Sequence, residues 1–422
     1  MRHITNLMKC WWGVIFLLLL SGKSIEFNCP NYDYELINYS SPFDWKEVAV
    51  KSHHNNDKNC ELLQFPSDLL SHLQQNNWNS TSFVSIPVYV SLTTIASRIN
   101  FVNNTIISIL YGLIRPTNIY LFVSTEAYLL DKGVSTIPQS LLALASLNLL
   151  TIVFTKNVGP HRKLLPILHR FWDNNCILIT VDDDMGFARN SSIVYQLLRQ
   201  FVQSEGNAVI ALRARRFGLC NTPPFEVTRY NHWLVYVSQS GRREMLLLPT
   251  GTGGVLYRPQ FFHEIVFDRK LRDLTGTADD LMFRLACLAK NVSVVVACRD
   301  LRFGKRTRKC STDITYFQEH PSETAEKVIN HSTTIIPTLG RDELEQLRYW
   351  RRYLRSRNQT TSGSYSIRYR NSSSSSSSSR NRSQEKDSLF DINRHSKNDR
   401  QFRAAQKYLK VNGILFAFFH HT

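Results

Sequence analysis

Short apolar runs alternate with longer amphipathic stretches through the middle of the chain. Runs rich in β-branched residues predict buried strands at 88–92, 118–123, 150–154, 176–180, 208–212 and 292–297. Apolar residues at helical spacing predict helices at 99–113, 138–148, 161–172, 191–202 and 281–289. Strands that alternate with helices are typical of an α/β protein with a mostly parallel central sheet.

The two ends of the chain lack this alternation. Residues 1–24 combine a basic start with a short apolar run, which is typical of a secretory signal peptide or a short signal-anchor. Residues 25–82 are Asn-rich and weakly periodic, so we expect a stem or linker with little structure. The α/β pattern belongs to residues 83–355. Residues 356–422 are basic and rich in Ser and Arg, so we expect a disordered low-complexity tail.

The net charge and the N-glycosylation sequons indicate the cellular compartment and the kinds of partner to expect. The net charge is +17, and much of the excess lies in the C-terminal tail. A basic tail can attract nucleic acid, membrane surfaces or acidic glycans, although a solvated tail is the simpler interpretation. The signal-like start and nine N-x-S/T sequons favour the lumen of the secretory pathway, with the Golgi as the expected site. We therefore expect no nucleic-acid partner, and either secretion or membrane anchoring through the N-terminal apolar segment.

Three carboxylates, Asp182, Asp183 and Asp184, follow the predicted strand at 176–180 directly. Neighbouring carboxylates repel each other unless a positive charge lies between them, and hard oxygen ligands favour Mg²⁺ or Mn²⁺. In open α/β sheets, ligands bind beyond the carboxyl ends of the strands, where this turn falls. The alternative is a solvated acidic turn. Cys176, at the start of the same strand, is expected to be a buried thiol.

Four further motifs accompany the acidic turn. They are VSLTTIASR at 90–98, VGPHRKL at 158–164, GTGGVLY at 251–257 and ADD at 278–280. In this order and spacing, the five motifs resemble those of glycosyltransferases with the GT-A fold, similar to family-2-like enzymes, over roughly residues 85–310. The resemblance implies a Rossmann-like, nucleotide-sugar-binding fold. It also implies metal-dependent transfer of a sugar to an acceptor hydroxyl on a glycan, protein or lipid, with inversion expected.

The same resemblance implies a donor site. Asp182, Asp183 and Asp184 would hold Mn²⁺ or Mg²⁺, and Asp182 would also face the nucleotide. Thr93 and Arg98 match the loop that lies against the nucleotide base and ribose in similar enzymes.

Further positions match the phosphate, sugar and acceptor side of such a site. Lys163 would neutralise the donor diphosphate, and a solvated lysine at a helix start is its alternative. Gly253 and Gly254 would let the backbone approach the sugar, or would form an ordinary turn. Asp280 matches the general base of inverting relatives, and Asp279 would orient it or bind the acceptor. The alternative is that the two residues only cap the following helix.

Other functions remain open at this point. One is a non-catalytic secreted protein that keeps the fold and binds glycans or other polyanions. Another is nucleotidyl or sugar-phosphate transfer, because acidic clusters with metals also serve that chemistry. A dehydrogenase is disfavoured, because no GxGxxG motif follows the first strand.

Overall fold

The computed structural model describes residues 30–54, 69, 73, 84–187, 192–218, 227–234, 243–297, 314–316 and 397–411. The strands in these residues are Pro30–Asn38 (β1), Lys46–His54 (β2), Val88–Thr93 (β3), Asn118–Val123 (β4), Thr151–Phe154 (β5), Ile177–Thr180 (β6), Met185–Phe187 (β7), Ala208–Ala211 (β8), Ala214–Arg216 (β9), Leu247–Pro249 (β10), Val255–Tyr257 (β11), Ser293–Val296 (β12) and Ile314–Tyr316 (β13). The α-helices are Val102–Leu110 (α1), Gln139–Ser146 (α2), Leu165–Arg170 (α3), Ile193–Gln203 (α4), Arg269–Thr275 (α5), Asp279–Ala289 (α6) and Lys397–Val411 (α7).

Within the described residues, one mixed sheet of nine strands has the order β1-β2-β5-β4-β3-β6-β11-β8-β12. Strands β5, β4, β3 and β6 run parallel to one another, and β12 runs parallel to β8. Strand β2 pairs antiparallel with β5. Strand β11 lies antiparallel between β6 and β8. The α/β class and the mostly parallel central strands are thus confirmed, and the architecture is compatible with a Rossmann-like fold.

The order of strands creates a switch point between β3 and β6. From β3 the chain continues to β4 and β5 on one side of the sheet, whereas from β6 it continues to β8 on the other side. The loops that follow β3 and β6 therefore leave adjacent strands in opposite directions, an arrangement that forms a crevice in open α/β sheets. This is where open α/β sheets bind ligands.

Local apolar patterns account for the central elements. All four residues of β6 are buried, as expected for a strand covered on both faces. Proline has no N–H to donate to a sheet ladder, so a strand is expected to begin after it. Strand β3 accordingly begins at Val88, directly after Pro87. The predicted helix at 161–172 begins as a 3-10 turn, Gly159–Lys163, and becomes α-helical only in α3. Cys176 is buried and free, as predicted.

The prediction of a weakly structured stem is wrong for residues 30–54. Strands β1 and β2 form an antiparallel hairpin, and β2 pairs with β5 and so extends the central sheet. Trp45 is 1% exposed and its ring packs edge-on against Tyr120 and Phe122. A few aromatic and aliphatic side chains are sufficient to cover the sheet edge, while the polar residues that dominate the composition face solvent. Most of residues 55–82 lie outside the described residues.

The prediction of a disordered tail is wrong for residues 397–411. This segment is the helix α7, which packs against α5 and buries Phe402, Ala405 and Leu409. Their spacing places them on one face of the helix, and the polar composition of the tail obscured this short stripe. The signal-like residues 1–24 and the Ser-rich segment before α7 lie outside the described residues. Among the described helices, none combines the length and the apolar character that a membrane crossing requires.

Candidate functional site

The acidic turn lies at the switch point. Val181 continues β6, and its N–H donates to Ser91 O of the neighbouring strand β3. The three carboxylates that follow therefore lie beside the loop that leaves β3. In this arrangement the buried sheet fixes the backbone from which Asp182, Asp183 and Asp184 project.

The loop after β3 supplies the partners of two of these carboxylates. Arg98 donates to Asp184 Oδ2 at 3.1 Å, and a second guanidinium nitrogen lies 3.0 Å from Asp183 Oδ1. Thr94 Oγ1 donates to Asp183 Oδ2 at 2.6 Å. Burial raises the pKa of Asp183, and burial raises that of Asp184 to about 7 against the opposing charge of Arg98. Arg98 thus lies at the acidic turn, and Thr94 is a contact that the sequence analysis did not single out.

Lys163 lies between the two acidic motifs. Its Nζ is 2.8 Å from Asp182 Oδ1, 2.9 Å from Asp279 Oδ2 and 4.0 Å from Asp280 Oδ1. The side chain is only 7% exposed, so the alternative of a solvated lysine is wrong. Burial alone would lower the pKa of Lys163, but the three carboxylates raise it well above its usual value. A permanently charged ammonium therefore joins the strand-end carboxylates to the pair at the start of α6.

The glycine-rich loop closes over this ion-pair cluster. A Cβ at Gly251 would lie 2.5 Å from Lys163 Nζ and 2.9 Å from Asp182 Oδ1, so a side chain there would have to displace the ion pair or the loop. The N–H of Gly251 also donates to both carboxylate oxygens of Asp280, at 3.1 and 3.2 Å. Gly251 is thus a site residue that the sequence analysis missed. Three glycines within four residues were the available signal.

Gly253 and Gly254 lie in the same loop but meet different surroundings. Both adopt positive φ angles, 115° and 94°, which favour glycine. A Cβ at Gly254 would lie 2.4 Å from Ile193 of α4. Gly254 is therefore required by the turn and by packing against a helix. Its expected approach to a sugar stays a prediction.

Asp279 and Asp280 form the first turn of α6. The residue before them, Ala278, occupies the N-cap position, and no side chain caps the helix there. Neither aspartate is therefore the capping residue. Burial, together with the negative charge of Asp279, raises the pKa of Asp280 to about 7, although Lys163 and the Gly251 N–H oppose this shift. A carboxylate with this pKa can accept a proton near neutral pH.

A second buried ion pair supports the loop after β3. Arg162 donates to Asp131 Oδ2 at 3.0 Å, to Thr94 O at 2.6 Å and to Thr93 Oγ1 at 2.7 Å. Asp131 in turn accepts from the N–H of Ala96 at 3.0 Å. Thr93 donates its own hydroxyl proton to Phe122 O, so its side chain holds the backbone together. Arg162 and Asp131 were missed, because no local pattern marks a residue that supports another loop.

The carboxylates at the turn are the type of ligand that a divalent cation prefers, but only two of the three are exposed enough to reach one. Asp182 and Asp184 are partly exposed, at 29% and 14%, whereas Asp183 is 4% exposed. Within the part of the chain that the structure describes, no group of three Asp, Glu, His or Cys side chains is arranged to hold a metal ion. Two carboxylates are sufficient for Mg²⁺, which commonly takes its other ligands from water and substrate phosphates. Asp182 and Asp184 are the residues that fit this arrangement.

The fold and the site define an α/β protein with an acidic, lysine-centred cluster at the carboxyl end of strand β6. Comparisons with known proteins add no family to this description. No protein-family model matches the chain, and no curated protein sequence matches it significantly.

Proposed function

We propose that this protein is a glycosyltransferase that moves a sugar from a nucleotide-sugar donor to an acceptor hydroxyl. The observation that carries the proposal is the meeting of two acidic motifs at one buried ammonium. Asp182 of the strand-end turn and Asp279 of α6 both lie within 3 Å of Lys163 Nζ, at 2.8 and 2.9 Å. The first motif suits a charged donor and its cation, and the second suits the acceptor. Their contact supports the proposal, because donor and acceptor must meet for a transfer.

On this proposal the domain is a GT-A fold, and the crevice between β3 and β6 binds the donor. Arg98 and Lys163 are cations paired with the acidic turn, and the proposal assigns both to the donor diphosphate. Thr93 would form part of the wall beside the nucleotide. Asp182 and Asp184 would hold Mn²⁺ or Mg²⁺, which supplies Lewis-acid stabilisation of the departing diphosphate when bound. Asp183, buried against Thr94 and Arg98, keeps the turn in place.

The proposed reaction inverts the anomeric centre. The acceptor oxygen attacks the anomeric carbon, the bond between that carbon and the diphosphate oxygen breaks, and the nucleoside diphosphate leaves with the bonding electrons. Asp280 takes the proton of the acceptor hydroxyl, for which its pKa of about 7 is suited. Asp279 stays paired with Lys163 and holds the ammonium beside Asp280. Acceptors are glycan, protein or lipid hydroxyls in the secretory lumen, with the Golgi as the proposed location.

A binding and turnover screen tests this proposal. Full-length protein expressed through the secretory pathway would be titrated by calorimetry with a panel of nucleotide sugars, with and without Mn²⁺, and donor hydrolysis would be measured alongside. Asp184→Ala should abolish metal-dependent binding, whereas Asp173→Ala should not, because Asp173 is an exposed acid near the same strand. Folded protein that binds no nucleotide sugar in Mn²⁺ would overturn the proposal and favour a non-catalytic binding protein.

A further inference from the structure

The C-terminal helix α7 lies beside the turn that carries the acidic pair. It packs against α5, whose last residue is Thr275, and its Tyr408 hydroxyl lies 3.1 Å from Asp268 Oδ2 at the start of α5. The other end of α7 contacts a different segment. Asp399 accepts a hydrogen bond from the N–H of Tyr230, and the ring of Phe402 lies 5.2 Å from that of Trp233. One helix thus joins residues 227–234 to the helix pair α5–α6.

Backbone hydrogen bonds shape the turn between α5 and α6. Gly276 adopts a φ of 51° and ends α5, with its N–H donating to Arg272 O. Ala278 donates to Thr275 O and begins α6 without a side-chain cap. Asp279 and Asp280 follow at once, so any movement of the turn moves both carboxylates.

Two buried side chains hold this turn from different parts of the chain. His161, from the loop that carries Lys163, lies with Nε2 3.2 Å from Thr275 Oγ1. Burial lowers the pKa of His161 to about 4, so the imidazole is neutral at physiological pH. Gln401 of α7 donates from Nε2 to Thr277 Oγ1 at 3.2 Å. A Cβ at Gly276 would lie 2.8 Å from the same Gln401 nitrogen, so the amide rests directly on the glycine.

We propose that α7 supports the catalytic site, and that Gln401 is a positioning residue for Asp280. This inference rests on the proposed function, in which Asp280 accepts the acceptor proton. Gln401 touches neither donor nor acceptor. It acts by fixing Thr277 and Gly276, which set the start of α6 and so the distance from Asp280 to the reacting hydroxyl. Displacement of a reacting group by about 1 Å can reduce a rate on the order of a hundredfold.

The location of the contact distinguishes this role from general stabilisation. The apolar anchor of α7 is the set of Phe402, Ala405 and Leu409, all buried. Gln401 is also buried, at 8% exposure, but it directs its amide to the turn and not to this apolar set. Loss of the amide alone should therefore leave α7 docked while it loosens the turn.

The test compares full-length wild type with Gln401→Met, which keeps the length of the side chain and removes the amide donor. Arg403→Ala is the matched control, because Arg403 is exposed on the same helix. Hydrogen exchange read by mass spectrometry reports on residues 275–281. Calorimetry in Mn²⁺ gives the Kd of the nucleotide sugar that wild type binds from the panel, and steady-state hydrolysis of that nucleotide sugar gives kcat and KM. We expect Gln401→Met to speed exchange in the turn, and to lower kcat about tenfold with the donor Kd unchanged within about twofold. Arg403→Ala should match wild type.

The outcomes separate this inference from the proposed function. If wild type transfers a sugar and Gln401→Met does so equally well, the positioning role is overturned, whereas the proposed transferase function is supported. A parallel loss of kcat and donor affinity would likewise overturn positioning, because it would indicate general loosening of the domain. If wild type binds no donor in Mn²⁺, the proposed function itself fails, and the role of Gln401 fails with it.

Discussion

Lys163 Nζ lies 2.9 Å from Asp279 Oδ2, although the two residues belong to a loop and a helix far apart in the chain. The same ammonium also contacts Asp182, so a single buried cation compensates two acidic motifs. Removal of one member of a buried ion pair leaves the other uncompensated, which costs more than the pair contributes. The stability of the site should therefore depend on this lysine.

Replacement of Lys163 by Met should destabilise the folded protein. We expect the free energy of unfolding to fall by ~3 kcal/mol at pH 8, because the carboxylates of Asp182 and Asp279 lose their counter-charge. Urea denaturation followed by tryptophan fluorescence measures this change. Lys156→Met is the control, since Lys156 is exposed, and it should change stability little. Equal effects of the two substitutions would show that the cluster contributes no net stabilisation.

The rate of transfer should depend on the protonation of Asp280. Only the deprotonated carboxylate accepts a proton, and its pKa is raised to about 7. We therefore expect kcat/KM to fall about tenfold per pH unit below pH 7 and to level off above it. Asp280→Asn should reduce kcat on the order of a hundredfold or more. A flat profile from about pH 5.5 to 8.5, with the chemical step shown to limit the rate, would exclude Asp280 as the base.

Stability should change with pH in the opposite sense to activity. Because the folded-state pKa of Asp280 lies above the unfolded value, the folded protein holds a proton there that the unfolded chain releases between about pH 4 and 7. The charged carboxylate thus lowers the free energy of unfolding. This destabilisation is absent below about pH 4 and reaches its full size above about pH 7.

Asp280→Asn removes that cost. The variant should be more stable than wild type at pH 8 by about 1 kcal/mol or more, since each pKa unit corresponds to about 1.4 kcal/mol. The difference should shrink towards pH 4. Thermal unfolding measured across this range, with Asp173→Asn as an exposed control, tests the sign. A variant less stable than wild type at pH 8 would mean that the Gly251 and Lys163 contacts outweigh burial.

The glycine loop should tolerate no side chain at Gly251. An added Cβ would lie 2.5 Å from Lys163 Nζ, so either the loop or the ion pair must move. We expect Gly251→Ala to lower transfer activity at least about tenfold, because the displaced loop also loses its N–H contact to Asp280. Thr252→Ala, one residue further along the same loop, should retain activity. Activity of Gly251→Ala near that of wild type would show that this close approach is not required.

The N-terminal hairpin should be an integral part of the domain. Trp45 fills a buried position against Tyr120 and Phe122, and truncation of such a side chain usually costs about 3–5 kcal/mol. We expect Trp45→Ala to lower the free energy of unfolding by about this amount, while Leu36→Ala, on the exposed face of β1, changes it little. If urea denaturation showed only a small fall in the free energy of unfolding for Trp45→Ala, residues 30–54 would instead be a stem that is not needed for the stability of the domain.

Much of the central sheet was predictable from the sequence. The run Asn118–Val123 was predicted with its exact bounds, because it is a continuous apolar segment between polar turns. The acidic turn was found for the same reason, since three aspartates after such a strand stand out without any knowledge of the fold. Strands with mixed composition, such as β1 and β2, were missed because their place in the sheet depends on an edge that β5 supplies.

The sequence by itself determined the α/β class, the order of the central elements and the residue types at the site. Only the tertiary structure decided that Lys163 joins Asp182 to Asp279, that Gly251 lies against this pair, and that Gln401 rests on the turn before Asp279. The physical reason is the range of the interactions. Periodicity and turn chemistry act between near neighbours and can be read along the chain. Ion pairs and close backbone approaches act between segments that meet only when the sheet has brought them together.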